Sequence, residues 1–199
     1  MEVLGCSNLL SGFADPVFDS QRTFRQILKA VSYPGRVIPL DIELEAPFPL
    51  YPTTAAICLT LLDSETPLWM EGGESSKLKE WLLFHTGCPL VHSPSQASFG
   101  LILKAFEEYS YDQFPIGEDE FPERSATLMI QVSDFEAGIG RCFKGPGIKV
   151  EERLEILGLS ETFWRFWNRN QTLYPLGVDL FFISPSALVG LPRTIEVKE

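Results

Sequence analysis

The sequence predicts an α/β fold: a mixed β-sheet with helices on both faces. Three observations carry that expectation. Short apolar runs alternate along the chain with amphipathic stretches of helical length. Two of the runs, ATLMIQV (126–132) and GVDLFFI (177–183), are almost continuously apolar, as strands covered on both faces are. Several connections are too short for right-handed crossovers, so some strands must pair antiparallel.

The elements follow in order. Residues 19–31 read as a helix, with Phe24, Ile27, Leu28 and Val31 at i, i+3, i+4 and i+7 forming a core-facing stripe. Pro16 precedes it, Asp15 or Asp19 caps it, and Tyr33-Pro34-Gly35 stops it. Arg22, Arg25 and Lys29 then lie on or beside the opposite face. In VIPLDIELE (37–45), Ile38, Leu40, Ile42 and Leu44 alternate with Pro39, Asp41 and Glu43, the pattern of a half-buried strand whose Pro suits an edge. TTAAICLTLLD reads as a helix capped by Thr53 or Thr54, TPLWM as a strand, and SSKLKEWLLFHTG as a helix capped by Ser75 or Ser76 and ended at Gly87. CPLVHS and SFGLIL are strands. From Glu107 to Glu123 seven acids occur without a base, which reads as a short helix and an exposed loop. RCFKGPGIK (141–149) is a strand running into a glycine-rich turn, followed by a helix-like VEERLEIL. ETFWRFWNRNQ after Ser160 is an aromatic helix, and ALVGLPRTIEV closes the chain as a strand or hairpin.

The chain has 199 residues, 45% hydrophobic and 22% charged, and reads as one domain over 1–199. Residues 1–12 form an N-terminal tail and 107–124 the acidic loop region. A net charge of −11 disfavours nucleic acid and anionic membrane surfaces as partners. No apolar run reaches the roughly 18 to 20 residues of a spanning helix, and the first residues do not resemble a secretion leader, so a cytoplasmic location is expected. Cys6, Cys58, Cys88 and Cys142 are scattered, as reduced thiols in such a location would be. With His85 and His92 they form no zinc-ligand spacing, and no metal is expected.

Two islands break the acidic background. Residues 21–36 carry Arg22, Arg25, Lys29 and Arg36 and no acid; residues 137–150 carry Arg141, Lys144 and Lys149 and no acid. Without these seven cations the −11 would stand at −18. Lys144, Gly145, Gly147 and Lys149 surround a turn that could point backbone N–H groups at an anion or partner, or could be a plain tight turn. Pro146 removes one of those donors, and neither common phosphate-loop pattern is present. Asp179, inside an apolar strand, needs compensation. Arg193 is the plausible ion-pair partner; a ligand-facing role or bonds to backbone N–H groups are the alternatives. His85 is a weak candidate general base, with a helix-end structural role as its rival. Phe163, Trp164, Phe166 and Trp167 read as core or interface. No catalytic residue stands out.

FADPVFDSQRTFRQILKAVSYPGRV, TPLW, FHTGCPLV, SATLMIQV, GPGI, YPLGVDL and LPRTIEV occur in the order and approximate spacing of one family. Across residues 12–197 the chain resembles PhnH, the H subunit of the bacterial carbon–phosphorus lyase machinery. That resemblance implies phosphonate catabolism and a core complex with G, I and J subunits. It implies a step in which a phosphonate displaces adenine from ATP, giving a ribose 1-phosphonate 5-triphosphate, before the J subunit breaks the C–P bond. It further implies homodimers and a fold like the large domain of pyridoxal-phosphate (PLP) transferases without the cofactor. The residues limit this chain's share of that chemistry. There is no C-x-x-x-C-x-x-C set for an iron–sulfur cluster, no Walker lysine and no activated nucleophile. No PLP, cluster or metal is expected, and an accessory subunit is the leading expectation. A stand-alone phosphate-ligand transferase or a small-acid-binding homodimer is the alternative. Arg22, Arg25, Lys29 and Arg36 then serve as candidate contacts to an acidic partner or its phosphate-bearing ligand.

Overall fold

A computed structural model describes residues 9–71, 76–105 and 110–199. In chain order the elements are α1 (Pro16–Ser32), β1 (Ile38–Pro39), α2 (Pro52–Leu61), β2 (Leu68–Met70), α3 (Ser76–Thr86), β3 (Leu90–Val91), β4 (Phe99–Ile102), β5 (Thr127–Gln131), β6 (Asp134–Lys144), β7 (Glu152–Leu157), α4 (Glu161–Thr172), β8 (Asp179–Ile183), β9 (Ala187–Leu191) and β10 (Glu196–Lys198). Seven strands form one mixed sheet in the order β1-β9-β8-β5-β4-β2-β3. β3, β2, β4, β5 and β8 run parallel; β9 pairs antiparallel with β8, and β1 antiparallel with β9. The two apolar runs became β5 and β8, neighbours in the sheet's interior.

Alternation along these strands divides the core. Leu101, Met129, Phe181, Ile183 and Leu188 point to the layer of α1, α2 and α3. Ile102, Leu128, Ile130, Leu180, Phe182 and Val189 point to the other side. There α4 supplies Phe163, Trp164, Phe166 and Trp167, and Phe163 meets Phe182 edge-on at 5.4 Å. The aromatic helix is therefore core.

That second face also carries an unexpected three-stranded sheet, β10-β6-β7. The stretch read as helix-like, VEERLEIL, is strand β7, antiparallel to β6. Its Leu154 and Ile156 are buried while Arg153, Glu155 and Leu157 are less so, a period of two that four charged helix-formers masked. β6 starts seven residues earlier than the sequence indicated, and β9 and β10 belong to different sheets rather than a hairpin.

Other corrections are local. The paired strand within 37–45 is only Ile38–Pro39, although Leu40 N still donates to Ser186 O at 2.9 Å and burial continues to alternate beyond it. α2 begins with Pro52 at its first turn and Tyr51 at the cap position; Thr53 and Thr54 are both buried instead of capping. The acidic segment holds two single 3-10 turns and anchors itself through buried Tyr111 and Phe114. Cys6, Ser75 and Glu107 lie outside the described residues.

α1 departs furthest from expectation. Asp15 caps it, its Oδ1 accepting from Val17 N at 3.2 Å and Phe18 N at 3.1 Å. The buried stripe, however, is Thr23, Ile27 and Ala30. Phe24, Leu28 and Val31, read as core, are 44%, 50% and 42% exposed. The reason is a close approach. A Cβ on Gly190 of β9 would lie 2.6 Å from Ala30 O. The helix seats on the sheet with Ala30 against Gly190, which rolls its larger apolar ridge outward.

Candidate functional site

Asp179 opens β8, and Arg193 follows β9. The guanidinium Nη2 lies 2.5 Å from Asp179 Oδ2, and Nε donates to Oδ1 at 3.2 Å. The Arg193 backbone N–H also donates to Oδ1, at 2.8 Å. The same guanidinium donates to Ser125 Oγ, to Pro122 O at 3.1 Å and to Pro175 O at 3.3 Å. Its side chain is only 11% exposed. With all five guanidinium protons engaged and both carboxylate oxygens bonded, the pair clamps three loops at the start of β8 and leaves the guanidinium no free donor for a ligand.

His85 sits in the last turn of α3. Its Nε2 is 3.0 Å from Leu10 O, which also accepts from Trp81 Nε1 at 2.9 Å. Gly12 passes over the ring so closely that a Cβ there would be 3.0 Å from Nδ1. The imidazole fastens the segment leading into α1 onto α3.

The glycine-rich turn is likewise occupied by packing. Ile148 N donates to Gly145 O at 3.1 Å, closing the turn. Gly147 has φ +84°, and a Cβ on it would lie 2.5 Å from Ser32 O and 2.8 Å from Pro34 Cδ. The turn is thus pressed against the end of α1, so the two basic islands meet there. Three of their seven cations, Arg36, Arg141 and Lys144, are paired with carboxylates. Arg36 Nε is 2.7 Å from Glu152 Oε1. Lys144 Nζ is 3.3 Å from Glu151 Oε2. The Cys142 thiol, then Lys144, hold the Glu151 carboxyl below the usual range. Arg141 bonds Glu161 at 2.6 Å and lies over the Trp164 ring at 4.9 Å.

Arg22, Arg25 and Lys29 differ. They are exposed, and among the described residues they have no ion-pair partner, a property they share with Lys149. Beside them stands the outward ridge of Val17, Phe24, Leu28 and Val31. This two-row face of α1 is the candidate functional surface. Reading the sequence found its cations but placed Phe24, Leu28 and Val31 of its apolar row in the core.

Sequence reading also missed Glu71. It is 7% exposed at the carboxyl end of β2, where the strand order reverses between β3 and β4. Its Oε2 accepts from Leu103 N at 3.2 Å, and Oε1 lies 4.0 Å from Lys104 Nζ. Elsewhere in the core, burial pushes the Cys58 and Cys88 thiols up, away from reactivity.

The model of the family described as bacterial phosphonate metabolism protein (PhnH) matches residues 11–198. The chain belongs to the PhnH family. A relative from Rhizobium meliloti, named alpha-D-ribose 1-methylphosphonate 5-triphosphate synthase subunit PhnH, is 34% identical over 194 residues, covering 96% of this chain and 97% of its own. A second, the putative C-P lyase subunit protein HtxG of Stutzerimonas stutzeri, is 32% identical over 177 residues, covering 89% and 85%. Membership extends over both sheets and all four helices, so the α1 face and the Asp179–Arg193 clamp lie within the matched residues.

Proposed function

We propose that this PhnH-family protein is an accessory subunit of the carbon–phosphorus lyase core, supporting formation of a ribose 1-phosphonate 5-triphosphate from ATP and an alkylphosphonate. Near-complete coverage at 34% identity by a relative named as a subunit of that synthase is the observation that carries the reading. The internal geometry supports its non-catalytic half. Asp179, His85 and the Gly145–Gly147 turn are each consumed by contacts that hold the fold. The free cations Arg22, Arg25 and Lys29 are offered outward instead, towards the G, I and J subunits.

The protein works without PLP, an iron–sulfur cluster or a metal. The mixed sheet, with helices on both faces, is the feature that supports a likeness to the large domain of PLP transferases. Alone, the chain pairs with itself, as the family it resembles does, within the cytoplasm. No helix among the described residues is long and apolar enough to cross a membrane.

Calorimetry on the isolated chain tests the assignment. Titration with ATP, methylphosphonate and both together is expected to show no saturable heat. Tight binding with adenine release by the lone protein would replace the subunit with an enzyme.

A further inference from the structure

α1 is a 17-residue helix that uses only a narrow stripe, Thr23, Ile27 and Ala30, to hold itself on the sheet. The rest of its circumference is at the surface. Val17, Phe24, Leu28 and Val31 fall at i, i+7, i+11 and i+14, one row along the helix. They are 42–74% exposed, with Phe18 at 64% and Tyr33 at 45% flanking the row. Six of the fourteen large exposed hydrophobics of the described residues thus sit on α1 and its cap; the other eight are scattered over six segments. An apolar concentration of this kind marks a contact surface rather than ordinary surface composition.

Arg22, Arg25 and Lys29, at i, i+3 and i+7, form a second row alongside the first, spanning about 10 Å of helix. None has a counter-ion among the described residues, in a protein whose other charges sum to −14. Left unpaired amid abundant carboxylates, these cations select what can lie on the ridge. Another copy of α1 is a poor match. A two-fold antiparallel pairing across the ridge sets the two basic rows on the same side, against each other. An anionic bilayer would meet the cations but also the acidic remainder of the molecule.

We infer that the outward face of α1 docks a partner subunit through an apolar groove bordered by carboxylates. Val17, Phe24, Leu28 and Val31 fill the groove, and Arg22, Arg25 and Lys29 pair along its rim. This rests on the subunit reading and adds to it the surface used and the chemistry of the opposing one. The apolar row is expected to supply residence time, and the basic row the encounter rate and register.

The test uses the full chain co-expressed with the G, I and J subunits. Two double variants are compared with wild type, Phe24→Ser/Leu28→Ser and Arg22→Glu/Arg25→Glu; all four positions are exposed, and circular dichroism checks the fold. Each variant is expected to raise the dissociation constant of the assembly by about tenfold or more. Affinity that falls with salt in wild type should lose much of that dependence in the charge-reversed variant. Wild type that assembles while both folded variants assemble equally well overturns this docking surface and leaves the subunit reading standing. Wild type that fails to assemble at all overturns both. Two other results overturn the proposed occupant: the serine variant converting a dimer of the lone chain to monomer without affecting the assembly, or wild type floating with phosphatidylglycerol vesicles while the charge-reversed variant does not.

Discussion

Arg193 makes more bonds than any other side chain in the described structure, and its anchor is a carboxylate at the mouth of β8. Asp179→Ala leaves that guanidinium, 11% exposed, without its counter-charge. Because Asp179 itself is 36% exposed, water recovers part of the loss, and a cost of about 2 kcal/mol is expected. A urea-midpoint shift with unchanged slope measures it; wild-type stability would mean the clamp holds nothing. The partner was legible in the sequence because a charge inside an apolar strand demands compensation, and LPRT supplies a fork of suitable geometry nearby. His85 was not legible in the same way. Nothing in FHTG says that a carbonyl seventy-five residues earlier is the group it meets.

At the scale of elements, α1 and β7 show where pattern reading goes astray. Two stripes compete on α1. Reading by residue size selects Phe24, Leu28 and Val31, whereas the helix seats through Thr23, Ile27 and Ala30 because Gly190 opens room for its backbone. The signal lay in a glycine some 160 residues away, which no local window reads. β7 was hidden by helix-favouring Glu and Arg, although Leu154 and Ile156 already show the period of two. The remaining helices and the sheet's central strands were legible from their apolar runs, and α4 also from its Ser160 cap. Gly190→Ala tests the seating of α1. The added methyl meets backbone at 2.6 Å, so the helix must lift or β9 must shift. A loss of about 1–3 kcal/mol is expected, the usual cost of overpacking. Thermal unfolding checks it, and an unchanged midpoint would contradict the close approach.

For the whole molecule, the mixed sheet divides two cores of different character. One side is closed by α4 and the small sheet, with Trp167 Nε1 donating to Ile195 O at 3.1 Å across it. The other is closed by α1, α2 and α3, and α1 turns apolar and basic rows to the surface. A chain of net charge −11 that binds nothing would have little use for such a face. A PhnH-family subunit held in a larger particle has a direct one. Native mass measurement of the protein purified from co-expression with the G, I and J subunits tests this most directly. The account predicts a particle containing this chain together with those subunits. Recovery of the chain only by itself, as monomer or homodimer, would contradict it.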